Sequence, residues 1–304
     1  MKRLIERAHD EAKARLVILT PPPFDPYRRR VADPNAIAFG YKFPAVDYDN
    51  TLEQYGRWLL TLRDKGIVVA DVHTTMNEHL RRRRAGKVSF ALQDDGVHPG
   101  PTGHWLMAQT LLEAWKAPAV CSEARIDARK LRVEAGDITN LKRDGQTISW
   151  TWRTPLPMPT DPRWDKESIA LENVSDRLNR HRLTVTGLSA VRYRLIANEA
   201  AIAEVGRENL EKGLDLLHYA DFPTNQLSQT VLSLIQERHR IVYAAWRKSI
   251  APAKTSDQTE NASFGGDVER RAAEIQAEIR RLCQPKEISL RLVPLSVTNR
   301  GENR

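Results

Sequence analysis

Cysteine is nearly absent from this 304-residue chain: Cys121 and Cys283 are the two it has. Two thiols so far apart make neither a metal motif nor a disulfide framework, and spacing alone does not decide whether they pair. Long hydrophobic runs are missing as well. No stretch of about 18 apolar residues occurs, so no membrane span is expected. The start, MKRLIERAHDEAKARLVILT, is basic, but acids interrupt it and its apolar run is too short for a secretory signal. No HExxH occurs, and His73/His79 and His98/His104 are each six residues apart, not the four of a helical zinc pair. No glycine-rich phosphate loop is present, so nucleotide binding has no support and no cofactor or metal is expected. No GxSxG and no GDS occur anywhere.

What is there reads as a water-soluble globular protein, 41% hydrophobic and 28% charged. The net charge of +8 permits affinity for polyanions. Acids and bases are interspersed, however, and the one dense cluster, Arg81 to Arg84, closes a predicted helix where cations suit the dipole. Nucleic acid is therefore not an expected partner.

The first third alternates strand and helix signals. Residues Leu16 to Thr20 (LVILT) form a short apolar run ended by three prolines, which predicts a buried parallel strand and a rigid loop. Helical spacing of Leu52, Tyr55, Leu59 and Leu62 predicts a helix over 51–65, stopped by Gly66. IVVADV, residues 67–72, predicts a second buried strand, and a helix follows over about 74–84. This order is that of a doubly wound α/β domain, whose chemistry sits at the carboxyl ends of the strands.

After about residue 117 the pattern changes to short alternating runs with turn signals, among them TISWTW and HRLTVTG. They predict a small β-rich unit over 118–222, a sandwich or a set of hairpins. A helical extension is expected over 223–304, with a flexible linker near 251–266 and a last amphipathic helix over 268–282. ISLRLVPL reads as a final strand. Trp150, Trp152 and Trp164 raise carbohydrate binding as an alternative role, against packing of Trp150 and Trp152 on the α/β domain. The loop aromatics Phe24, Tyr27, Phe39, Tyr41, Phe43 and Tyr48 either line a substrate cleft or anchor their loop.

The stretch FALQDDGVHPGPTGHWLMAQ carries the chemistry. A histidine acting as general base needs a carboxylate on its other ring nitrogen. Asp95, three residues before His98 in one turn, meets that need; Asp94 reads as a capping or solvent residue, and His104 as a packing residue. Pro99 restrains the backbone after the histidine, and Pro101 to Gly103 open a core helix.

The ordered set VILTPPPFD, then GIVVADVHTTM, then DDGVHPGPTGHWLMA resembles the carboxyl-terminal half of the SGNH (GDSL-type) hydrolases. The resemblance covers roughly residues 1–115 and implies a flavodoxin-like three-layer α/β/α fold, there partial, and ester hydrolysis by a Ser-His-Asp triad. Asp95 and His98 match the family's DxxH block as triad acid and base. The implied substrate is an ester, with an acetylated polysaccharide as one candidate. Family members are often exported, though this chain shows no signal. Residues 125–250 resemble, more weakly, accessory segments of some large bacterial members. The family's GDS serine and the glycine and asparagine blocks of its oxyanion hole are missing here. The expectation is a partial hydrolase of 1–117: a truncated or misassigned reading frame, an enzyme completed by another, amino-terminal segment, or a non-catalytic binding or assembly module.

Overall fold

The computed structural model describes residues 2–28, 33–37, 40–250 and 266–295. The chain is a mixed α/β protein that forms two compact units. Unit 1 holds residues 1–118 and 162–173; unit 2 holds 119–161 and 174–304.

Unit 1 opens with α1 (Lys2–Asp10) and β1 (Val17–Leu19), the predicted LVILT strand. The predicted helix over 51–65 starts earlier, as α2 (Ala45–Leu60), and tightens into a 3-10 turn over Thr61–Lys65. Pro44 fixes the backbone just ahead of α2, where its missing N–H costs nothing. Gly66 ends the turn at φ 76°, the left-handed conformation that glycine adopts without strain. β2 (Val68–Ala70) pairs in parallel with β1, Ile18 opposite Val69. α3 (Val72–Gly86) follows at once, its first turn capped by the Asp71 carboxylate on the Thr74 N–H at 3.3 Å. α4 (Pro101–Ala114) completes the set. Leu59, Leu62 and Val69 form one core around this strand pair, with Ile5, Ile18 and Trp58 packed against it.

The Thr20 hydroxyl joins the carboxyl ends of both strands. It donates to Asp71 Oδ1 at 3.3 Å and accepts from the His73 N–H at 2.9 Å. That edge is where the sequence places chemistry.

Unit 2 is a two-sheet sandwich. β3 (Val120–Asp127), β4 (Arg132–Ala135), β7 (Arg180–Thr186) and β10 (Leu214–Asp215) form one sheet in the order β10-β7-β3-β4. β5 (Asp137–Asp144), β6 (Thr147–Thr154), β8 (Arg192–Ala197), β9 (Ala200–Gly206) and β11 (Lys286–Pro294) form the other, in the order β5-β6-β11-β8-β9. Alternation buries one face of β6, and Trp150 and Trp152 share that face as predicted. They are buried within the sandwich core beside Leu183, Val185 and Leu290, not against the α/β domain. Two buried indoles offer a sugar no platform.

The predicted final strand is present, but it lies in the middle of the five-stranded sheet. Residues 286–294 therefore belong to the β-rich unit and not to a helical extension beginning at 223. Three short helices, α5 (Lys166–Leu171), α6 (Val174–Arg177) and α7 (Arg207–Lys212), come earlier in the chain, and α8 (Pro223–Ile250) and α9 (Gly266–Leu282) run between β10 and β11. The apolar stripe of the predicted amphipathic helix is covered within this chain, a seam in which Ile275, Ile279 and Leu282 pack with Val231, Leu227 and Leu234. Ile235, also on α8, is half exposed. Of the linker predicted near 251–266, residues 251–265 lie outside the described residues and Gly266 opens α9.

Candidate functional site

The loop from Lys87 to Gly100 lies in unit 1 and is pinned by its own backbone. Gln93 and Pro99 form an isolated antiparallel bridge, and the Gly100 N–H donates to Leu92 O at 2.8 Å. The Gln93 amide, fully buried, donates to Pro23 O at 2.9 Å, tying the loop to the proline segment after β1. Gly96 turns the chain at φ 83°, and a Cβ there would lie 2.7 Å from the Asp25 carbonyl oxygen. Only glycine fits that turn.

The turn presents Asp95 to His98. Asp95 Oδ2 faces His98 Nδ1 at 2.7 Å. Asp95 Oδ1 accepts the backbone N–H of His98 at 2.8 Å and of Val97 at 2.9 Å. These bonds to the backbone and ring of His98 hold the Asp95 carboxyl well below the usual carboxylate range, against a small opposing effect of desolvation. The aspartate is ionised at neutral pH. The His98 side chain is 77% exposed, and none of the described residues meets its Nε2. Such an imidazole, fixed at one nitrogen and open at the other, can accept a proton from a group brought to it.

The other expected residues part ways. Asp94 is fully exposed, with Arg28 3.7 Å away. His104 turns back to Gly100 O at 3.1 Å. Phe24 and Tyr48 meet edge to face at 5.1 Å, and Tyr41 packs on Tyr48 at 5.2 Å, so these three anchor the loop. Tyr27 and Phe43 stay exposed, and Phe39 lies outside the described residues. Trp164 packs on Trp105 at 5.7 Å.

The chain spans 97% of its length on the solved structure of BT4096, a gut microbial diltiazem-metabolizing enzyme, with a TM-score of 0.78 and 17% identity over 75% of that protein. At that identity the likeness is one of fold. No protein-family model and no curated protein matches the chain.

Two further histidine clusters in unit 1 draw their partners from distant positions. His73 Nε2 meets Asp49 Oδ1 at 3.1 Å, and Asp49 also accepts from the Phe24 N–H at 2.7 Å and the Asn77 amide at 3.3 Å. Burial lowers the His73 pKa, but Asp49, Glu53 and Asp71 outweigh it and the net direction is upward. His79 lies between Glu172 and Ser168, Nδ1 to Glu172 Oε1 at 2.8 Å and Nε2 to Ser168 Oγ at 2.8 Å. That has the outline of a nucleophile, base and acid. Ser168 is fully buried and donates its hydroxyl to Asp165 Oδ2 at 2.7 Å, so a substrate has no path to it. Arg82 reaches Glu172, and Arg83 reaches Asp165 and Glu167. The cluster fastens residues 162–173 to α3. The carboxylate partner of His73 lies 24 positions away and that of His79 lies 93 away, which no local motif reveals.

Proposed function

We propose that unit 1 is the base-bearing part of an SGNH-type ester hydrolase, with His98 as general base and Asp95 as the acid that orients it. The observation that carries this reading is the 2.7 Å contact of Asp95 with His98 Nδ1, combined with an Nε2 open to solvent. The likeness in fold to a drug-metabolizing enzyme is compatible with it.

The serine and oxyanion donors come, in this reading, from a segment outside residues 1–304. Two features support that. A two-stranded sheet is too small to stand alone, and no described strand pairs with the outer edge of β1. Beside it, Leu19, Pro21, Leu52, Tyr55 and Trp58 border an apolar groove of about 730 Å3. An added strand would cover it. The substrate is an ester, an acetylated polysaccharide being the class the resemblance suggests.

Hydrolysis of p-nitrophenyl acetate tests the reading. The 304-residue protein is expected to show slow turnover that disappears in His98→Ala, since an exposed imidazole attacks or deprotonates poorly without a partner serine. A chain extended upstream with a GDS block is expected to turn over faster, with the same dependence on His98. Turnover in both chains that survives His98→Ala would remove the assignment. The competing role, a binding or assembly module, loses its two obvious tools, because Trp150 and Trp152 are buried and the α9 seam is filled.

A further inference from the structure

The segment that supports the His98 loop also walls a cavity of about 340 Å3. The Asp25 N–H donates to Gly96 O at 2.9 Å, and the Phe24 ring packs under Gly96. Phe24 and Asp25 line the cavity on their other side.

Two carboxylates face this cavity, and both are already matched. Asp25 pairs with Arg84. Asp49 accepts from the Phe24 N–H and the Asn77 amide and pairs with His73. One cation has no partner. Arg81, exposed on α3, makes no hydrogen bond or ion pair with another described residue, and it lines the cavity. Asn50 lines it too, exposed and equally without a described partner. The Tyr27 ring, 66% exposed, forms one side.

We propose that this cavity binds a uronic-acid-type sugar, a hydroxylated ring that carries a carboxylate. A free guanidinium fork matches a carboxylate through two parallel N–H donors. The Asn50 amide offers a donor and an acceptor to ring hydroxyls. The exposed Tyr27 ring offers an apolar face to the sugar's C–H face. Asp25 and Arg84 cancel, and Asp49 is held by the Phe24 N–H, the Asn77 amide and His73, so Arg81 is the group that favours an acidic sugar over a neutral one. The inference deepens the hydrolase reading and rests on it for the link to catalysis: the ester would then sit on an acidic polysaccharide.

The test is a titration of the purified protein with methyl galacturonoside and with neutral methyl galactoside, followed by saturation-transfer NMR. The uronide is expected to bind at least about tenfold more tightly, the size of one charge-assisted contact. Arg81→Gln should bring the uronide down to the neutral sugar, and Asn50→Asp should weaken the uronide and spare the neutral one. Both positions are exposed, so an unchanged thermal midpoint is expected and checks folding. Equal binding of the two sugars, no binding, or an Arg81→Gln protein that binds as before would each overturn the proposal. His98→Ala should leave uronide binding intact. Uronide binding without any His98-dependent ester hydrolysis would sink the hydrolase reading and keep the cavity; hydrolysis without uronide preference would do the reverse.

Discussion

Asp95 uses both of its oxygens on two residues of one turn, one on the His98 ring and the other on the backbone N–H groups of Val97 and His98. Asp95→Asn separates those tasks. An amide oxygen still accepts the two N–H bonds, so the turn survives. The NH2 group, however, meets Nδ1 with a donor, which favours the wrong tautomer and leaves no charge to offset an imidazolium. In the chain extended upstream with a GDS block, we expect His98-dependent ester hydrolysis to fall about 10^2–10^4-fold with little change in thermal stability. A protein that keeps its full rate would show that the carboxylate only shapes the loop. Gly96→Ala acts on the same turn from the other side. The new methyl meets the Asp25 carbonyl at 2.7 Å while the backbone holds φ at 83°. A loss of about 1–3 kcal/mol in unfolding free energy is expected, read from urea denaturation. The Asp95–His98 pair was legible in the sequence because both residues lie in a single turn, where spacing fixes geometry. The partners of His73 and His79 were not legible, since their carboxylates arrive from 24 and 93 residues away.

Between α3 and residues 162–173 the contact is polar and buried, which sets how it fails. His79 is fully enclosed, with Glu172 on one nitrogen and Ser168 on the other. His79→Ala leaves a cavity and takes one buried partner each from Glu172 and Ser168, while Arg82 still pairs with Glu172. Losing buried hydrogen bonds of this kind costs about 1–3 kcal/mol. Urea unfolding of unit 1 should weaken by that order, with exposure of the Trp105–Trp164 pair as the reporter. A loss below about 1 kcal/mol would mean that residues 162–173 are held by something else. The helices and strands of unit 1 were readable from apolar spacing, because each buries one stripe or run. The return of residues 162–173 was hidden by its chemistry: the fastening residues are His, Arg, Glu and Ser, which periodicity ignores. β11 was recognisable as a strand from ISLRLVPL, yet its place between β6 and β8 depends on pairing across more than 130 residues, as Ile288 with Trp152. Register at that range is set by which faces the two sheets can bury together, not by any local signal.

Taken as a whole, each unit carries its own core, and they should respond differently to acid. The unit 2 core includes one histidine. His181 stacks on Trp152 at 5.2 Å, meets Phe222 edge to face at 5.7 Å, and reaches Thr224 Oγ1 through Nε2 at 3.1 Å. Its Nδ1 is buried without a partner. Burial pushes its pKa down to about 4, with Asp215 pulling weakly the other way. The unfolded chain, with an ordinary value of 6.5, binds a proton that the folded core refuses. Between those two values the unfolded state therefore binds more protons, and stability rises with pH. The contribution is complete above about 6.5 and is lost progressively as the pH falls to about 4. The gap corresponds to about 3 kcal/mol at most. Urea titrations of the protein at several pH values should show unit 2 losing that amount across the window. His181→Phe should lower stability at neutral pH, where the Thr224 bond is gone, and flatten the slope between the two values. An unchanged slope in that variant would mean that the acid sensitivity of the sandwich lies in its carboxylates and not in the imidazole buried between its aromatic rings.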